Sequence, residues 1–137
     1  MSVGAFMEGL RTKLIADTAS GSLYDAVGGR ISQGWANEEE RMPYLTYFPM
    51  QTEPQRHFGG VVSLDVLVQF DIWGAIGLGP KAVQDIEVKL YSLLEGFALT
   101  VSGFDRGLVT FTSRGGATPE DDCWRVMDEI RVQGTDF

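Results

Sequence analysis

The residue types that most often do chemistry are sparse in this chain, and their surroundings do not favour it. His57 is the only histidine, and it follows Arg56 in a polar segment, where a histidine is usually solvated. Cys123 is the only cysteine, so the chain can form neither an internal disulfide nor a cysteine zinc cluster. It follows Asp121 and Asp122, whose charges raise a thiol pKa, and we interpret it as a buried structural cysteine. The sequence therefore predicts no catalytic residue and no metal ligand.

One glycine-rich segment partly matches a phosphate-binding loop. Gly74, Gly77 and Gly79 precede a predicted helix, as the glycines of such loops do. However, Pro80 separates Gly79 from Lys81, so the Gly-Lys-Ser/Thr signature is missing, and the spacing G-x-G-x-x-G is absent too. Pro80 also lacks the backbone N–H that such a site would use. We interpret the segment as a chain reversal and expect no cofactor, with a small nucleotide-binding domain as the alternative.

Two acidic runs, at positions 38–40 and 120–122, could suggest divalent cations. Neither has the alternating ligand spacing of a calcium loop, so we interpret both as solvated surface. The whole chain carries 19 acidic and 11 basic residues, a net charge of -8. This charge disfavours wrapping of nucleic acid through a basic patch. An acidic surface most commonly serves solubility, and it is also suited to a passage through which DNA slides without adhering.

The periodicity of apolar residues predicts an α+β fold. The chain has 137 residues, of which 44% are hydrophobic. This length and composition suit a single domain over 1–137 with a hydrophobic core. Strict alternation from Val62 to Ile72 predicts a long strand, because only a strand places every second residue on one face. Helical spacing predicts helices over 3–17 and 80–96 and a short helical turn over 23–27. The predicted strands are 44–48, 61–73, 99–102, 108–113 and 123–133.

We expect a mostly antiparallel sheet of four to five strands, covered on one face by the amphipathic helix 80–96, with an N-terminal helix. The long strand also carries Val61, Leu67 and Trp73 on its other face. With Trp35, these residues are candidates for a protein interface, where aromatic side chains are favoured. The sequence shows neither a basic leader nor an apolar run of membrane-spanning length, so we expect folding in a cytoplasm and no membrane partner.

The order of elements and five short segments resemble the tail-completion or tail-terminator family of long-tailed bacteriophages and related prophage particles. The resemblance covers nearly the whole chain. The segments are Gly28-Gly29-Arg30-Ile31, Pro43-Tyr44-Leu45-Thr46-Tyr47, Phe70-Asp71-Ile72-Trp73, the helix from Pro80 to Gly96, and Trp124-Arg125-Val126.

The resemblance implies a non-enzymatic virion protein without a cofactor. Its subunits would form a ring, commonly a hexamer, at the head–tail junction after assembly in the host cytoplasm. The ring would end tail-tube polymerisation and contact the tail tube protein and the head connector or completion protein, with genomic DNA passing through its lumen. Heterologous ring contacts would then use the interface candidates, and the acidic loop Glu38, Glu39 and Glu40 would face the lumen. Another connector component or a tail-tube subunit is the alternative within the same class.

Overall fold

The computed structural model describes residues 3–34, 41–56, 62–99 and 104–136. The predictions that concern Trp35, Glu38 to Glu40, His57 and Val61 lie outside these residues. In chain order the elements are α1 (Val3–Ala16), α2 (Leu23–Ala26), β1 (Ile31–Gln33), β2 (Tyr44–Arg56), β3 (Val62–Ala75), a 3-10 turn (Ile76–Leu78), α3 (Pro80–Leu94), β4 (Ala98–Leu99), β5 (Phe104–Arg114), β6 (Thr118–Glu120) and β7 (Cys123–Asp136).

The described strands form one sheet in the order β1-β2-β3-β7-β5-β4, with β6 paired to β7. Only the short β1 pairs in parallel, so the predicted mostly antiparallel α+β fold is confirmed. Four strands are long, and β1, β4 and β6 span two or three residues each. The last strand, β7, lies between β3 and β5, a non-consecutive arrangement that pairing of chain neighbours does not predict.

The hydrophobic core lies on one face of this sheet. Alternate residues of β3 from Leu64 to Ile72 are buried, as the sequence predicted. The register places Val132, Ile130 and Val126 of β7 beside them on the same face. Helix α3 covers that face with Val83, Ile86, Leu90 and Leu94, and α1 adds Phe6, Met7, Leu10 and Leu14. Each such side chain contributes about 1.5–3 kcal/mol when fully buried, which holds the helices on the sheet.

Strand β2 is much longer than predicted. We expected a strand over 44–48 that ends beside Pro49, followed by a loop, but the strand continues to Arg56 through Pro49 and Pro54. The Leu45 N–H donates to Arg30 O and the Tyr47 carbonyl accepts from the Gly34 N–H, on either side of β1, so the backbone polar groups of these odd positions point away from β3. Pro49 continues this alternation, and the register shifts just after it. Its missing N–H therefore costs no bond to β3, because proline is tolerated on the outer side of an edge strand.

The helix predictions are confirmed to within two residues: α1 ends at Ala16 and α3 at Leu94. Strands β5 and β7 extend beyond their predicted bounds, to Phe104 and Asp136 respectively. We did not predict β1 and β6, because three residues are too few to show an alternating pattern. None of the described helices combines the length and apolar character needed to cross a membrane.

The glycine pair after α2 brings two of the sequence motifs together. Gly28 and Gly29 have φ of 58° and 75°, a left-handed backbone that favours glycine. The chain then turns so that Arg30 Nε donates a hydrogen bond to Pro43 O at 3.0 Å. The Arg30 carbonyl accepts from the Leu45 N–H at 2.9 Å, which sets β1 beside β2. The first two motifs thus form one corner of the sheet.

Candidate interaction surface

The sheet face opposite the core, here called the open face, carries the odd-numbered residues of β3 and β7. The buried apolar residues of the described helices all belong to the core on the other face. On the open face, Leu67 and Trp73 are half-buried, while Leu108 and Met127 are exposed. This face is therefore a mixed polar and apolar surface that no described helix covers.

One end of the open face forms a hollow of about 580 Å³ between β2 and β3. Tyr44 lies opposite Trp73 in the register, and their rings stack with centroids 6.2 Å apart. Phe48 lines the same hollow four positions further along β2. Thr46 and Asp71 at its base are buried. Aromatic rings around a polar base are the composition typical of interface centres.

An ionic cluster fixes the base of the hollow. Arg125 of β7 contacts Asp71 Oδ1 through Nε at 3.0 Å and Nη2 at 2.8 Å, and Glu120 Oε1 through Nη1 at 3.0 Å. Its guanidinium also lies 4.7 Å from the centroid of the Trp73 ring. The Gln69 amide donates to both oxygens of Asp71, at 3.2 and 3.1 Å. Both Asp71 oxygens and both Arg125 terminal nitrogens are thus engaged.

Burial lowers the pKa of Arg125, but hydrogen bonds to Asp71 and Glu120 outweigh it and raise the pKa above its usual value. The Arg125 side chain is therefore charged, and its contacts with the two carboxylates favour that charge. The cluster joins the Asp-x-Trp motif of β3 to the Trp-Arg-Val motif of β7, which lie 54 positions apart in the chain. It acts as a clamp, since one guanidinium holds Asp71 of β3 and Glu120 of β6.

Leu67 and Trp73, the two predicted interface residues that the structure describes, occupy separate parts of the open face. Leu67 and Trp73 lie on the same face of β3, with Gln69 and Asp71 between them. Six residues of strand separate their Cα atoms by roughly 20 Å, at about 3.3 Å per residue. Leu67 lies opposite Arg131 on β7, away from the hollow. The structure thus places both on one surface without bringing them into contact, and Val61, Trp35, Glu38, Glu39 and Glu40 lie outside the described residues.

In the glycine-rich loop, the first glycine has a packing role. A Cβ on Gly74 would collide with Cγ1 of Val83, so the glycine lets β3 meet α3 closely. Lys81 pairs with Asp85 on its own helix at 2.8 Å, in an exposed i,i+4 bridge. The loop tip is apolar, since the Leu78 side chain is 62% exposed. Trp124 Nε1 donates to Ile76 O at 3.2 Å and ties the tip to β7.

Cys123 is buried, and its Sγ donates to Glu120 O at 3.2 Å. Burial, and then the charges of Glu120, Asp121 and Asp122, raises the pKa of the thiol. The prediction of a buried cysteine with a raised pKa is confirmed. Within the described residues, no group of three or more His, Cys, Asp or Glu side chains is arranged to hold a metal ion.

A second polar cluster, between α3 and the sheet, was not predicted; its two carboxyl groups are buried, whereas the Arg114 side chain is 40% exposed. Arg114 of β5 bonds both oxygens of Glu87 on α3, with Nη2–Oε1 at 2.6 Å and Nε–Oε2 at 2.9 Å. Asp128 of β7 lies beside them and is 1% exposed. The guanidinium of Arg114 also packs on the Tyr91 ring at 3.7 Å. The sequence signal was Asp128 itself, a charged residue between the apolar positions Val126 and Ile130 of β7.

Comparison with known proteins identifies the fold. No family model matches the chain, and no curated protein matches its sequence. A chain from the virion of a native gene transfer agent particle is similar in structure, with a TM-score of 0.75, 17% sequence identity and 96% of each chain covered. A second solved structure, known only by a sequence identifier, has a TM-score of 0.71 at 16% identity and covers 100% of this chain and 97% of its own. Both likenesses extend over the entire fold and are too distant in sequence to show more than the fold.

Proposed function

We propose that this chain is a non-enzymatic structural subunit of a phage-like virion that forms a ring at the head-proximal end of a tail tube. The ring ends tube polymerisation and joins the tail to the head connector. The observation that carries the proposal is the end-to-end structural likeness to a chain of a gene transfer agent virion. The sequence motifs that resemble tail terminators support the same role, because they form the corner and the clamp of the described fold.

The open face supports a role in assembly. A ring subunit needs two different patches, since each copy meets a different surface of its neighbour. The open face supplies one patch, with Trp73 at the hollow and Leu67 further along β3. We propose that both contact a neighbouring copy, together with Val61 and Trp35, and that Glu38, Glu39 and Glu40 face the lumen, where their charge keeps DNA from adhering.

A test of ring formation uses the purified chain, alone and mixed with the tail tube protein, in light scattering and negative-stain microscopy. The proposal predicts closed rings, commonly hexamers, in at least one of the two samples. Stacked rings along a tube would instead favour a tail-tube subunit. A chain that stays monomeric in both samples would contradict the ring.

The open face itself is tested with Leu67→Arg, compared with Val88→Arg on the exposed side of α3, where the side chain is 54% exposed. We expect Leu67→Arg to weaken ring assembly at least tenfold, because a charge would be desolvated in the contact. Val88→Arg should assemble normally. Equal assembly of both variants, with circular dichroism showing both folded, would show that the open face is not the contact.

Two residues of the glycine-rich loop have contacts that do not depend on a nucleotide, which favours assembly over the nucleotide-binding alternative. Gly74 is explained by contact with Val83, and Lys81 pairs with Asp85. A ligand that binds only the folded state raises the melting temperature, so thermal unfolding with and without nucleotides separates the two proposals. The assembly proposal predicts no shift, and a clear shift would favour the nucleotide site.

A further inference from the structure

The cluster of Glu87, Arg114 and Asp128 places two carboxyl groups and one cation in the interface between α3 and the sheet. Glu87 and Asp128 are 6% and 1% exposed. Arg114 forms a bidentate pair with Glu87, so both of its described hydrogen bonds go to that carboxylate. A second buried negative charge on Asp128 would have no cation of its own, and burial of an unpaired charge is strongly unfavourable.

The hydrogen bonds around Asp128 indicate where a proton is held. Its Oδ1 accepts from the Gly115 N–H at 3.0 Å. No described group donates to its Oδ2, although that atom is buried. Asp128 and Glu87 are within hydrogen-bonding reach of each other, and two carboxylates can share a hydrogen bond only when one carries the proton.

The groups that face Asp128 from the surrounding elements favour the same arrangement. Helix α3 contributes Glu87 and, beside Arg114, the Tyr91 ring. Strand β5 contributes Arg114 directly opposite Asp128 in the register, and β3 contributes the uncharged Phe70 on the other side. Glu87 is thus the negative charge beside Asp128. The cation beside Asp128 is Arg114, which is already bound to Glu87.

We propose that Asp128 is held as a neutral acid that donates a hydrogen bond to Glu87, and that this bond with the Arg114–Glu87 pair forms an alkaline-sensitive clasp between α3 and the sheet. Loss of the Asp128 proton to solvent leaves two carboxylates, Asp128 and Glu87, in contact with each other. They then share the single cation Arg114. Their repulsion loosens α3 from β5 and β7. This clasp is independent of the role proposed above.

The direction of the pH effect follows from the shifts in the two carboxyl groups. Burial, and then the hydrogen bond to Glu87, raises the pKa of Asp128 from 3.8 to about 8. Burial raises the pKa of Glu87 as well, but hydrogen bonds from Arg114 and Asp128 outweigh it and lower that pKa, so Glu87 keeps the charge. A raised pKa gives stability that is complete below the pKa of the unfolded chain and is lost as the pH rises through the folded value. The Asp128 contribution therefore declines between about pH 4 and pH 8.

The experiment compares the wild-type chain with Asp128→Asn from pH 5 to pH 9 by urea unfolding. Asparagine imitates the neutral acid at every pH, because its amide can donate to Glu87 and its carbonyl can accept from Gly115. The clasp predicts that the unfolding equilibrium constant of the wild type, divided by that of Asp128→Asn, rises by up to tenfold per pH unit and levels off above pH 8. Asp122→Asn, at an exposed position, is the control and should leave the wild-type pH profile unchanged.

A constant ratio across this pH range would overturn the proposal. A direct measurement on the wild type guards against failure of Asp128→Asn to fold. Carbon-13 NMR of the side-chain carboxyl groups should show one aspartate that remains protonated at pH 6 and titrates near pH 8. If every aspartate resolved in the spectrum is ionised at pH 6, Asp128 is not a neutral acid and the clasp does not exist.

Discussion

Arg125 controls the shape of the open face at the scale of single residues. Arg125→Ala would leave the Asp71 side chain, which is 5% exposed, without its cation. Since Gln69 still bonds Asp71, we expect a loss of about 2–3 kcal/mol in the free energy of unfolding, measured by urea denaturation. Arg131→Ala, an exposed position on the same face of β7, is the matched control and should change stability by less than about 0.5 kcal/mol. Equal losses of stability in the two variants would show that the Arg125 clamp does not stabilise the fold.

Gly74 is required by the close packing of β3 on α3. Gly74→Ala places a methyl group against Val83, so we expect destabilisation of about 1–3 kcal/mol in thermal unfolding. Gly77→Ala, which meets nothing within 4 Å, should be close to neutral. The reverse order of the two effects would contradict the packing role of Gly74.

The residue contacts that matter most could not be predicted from the sequence. The motifs around Asp71 and Arg125 are visible, but their pairing depends on β7 lying beside β3. Asp128 is visible as a charge on an apolar face, but its partners Glu87 and Arg114 come from two other elements. Side-chain types are local information, whereas these contacts arise from strand order, which local patterns do not determine.

Helix α3 is the main element that covers the sheet. We expect Leu90→Ala, at a fully buried position, to cost about 2–5 kcal/mol in the free energy of unfolding, because it leaves a cavity against the sheet. Val88→Ala, on the exposed side of the same helix, should stay within about 0.5 kcal/mol of wild type. Similar losses in both variants in urea unfolding would mean that α3 is not held mainly through its buried face.

Elements with a strong hydrophobic periodicity could be predicted from the sequence, whereas a strand interrupted by prolines could not. Strand β3 and helix α3 each bury one continuous stripe, so their alternation and helical spacing are clear in the sequence. Strand β2 contains Pro49 and Pro54, which normally mark strand ends, and only its edge position explains why it continues. The short strands β1 and β6 exist through pairing with a longer neighbour, which no local pattern reveals.

At the scale of the whole molecule, the edges of the sheet are poorly suited to pairing with a strand of another chain. Contact through the faces of the sheet is therefore favoured. On β2, Pro49 offers no donor beyond the end of β1. On β5, the Phe111 N–H already donates to Glu95 Oε2 at 2.9 Å. Edges blocked in this way resist pairing with another chain. This agrees with a subunit that meets its neighbours through the side chains of the open face.

The claim that this chain forms a ring where tail meets head is tested most directly by imaging assembled particles that carry it. Gold-labelled antibody against the chain, viewed by electron microscopy, reports its position along each particle. The account predicts label at a single position, the junction of tail and head, with one ring of density there. Label distributed along the tail, or particles that carry none, would contradict it.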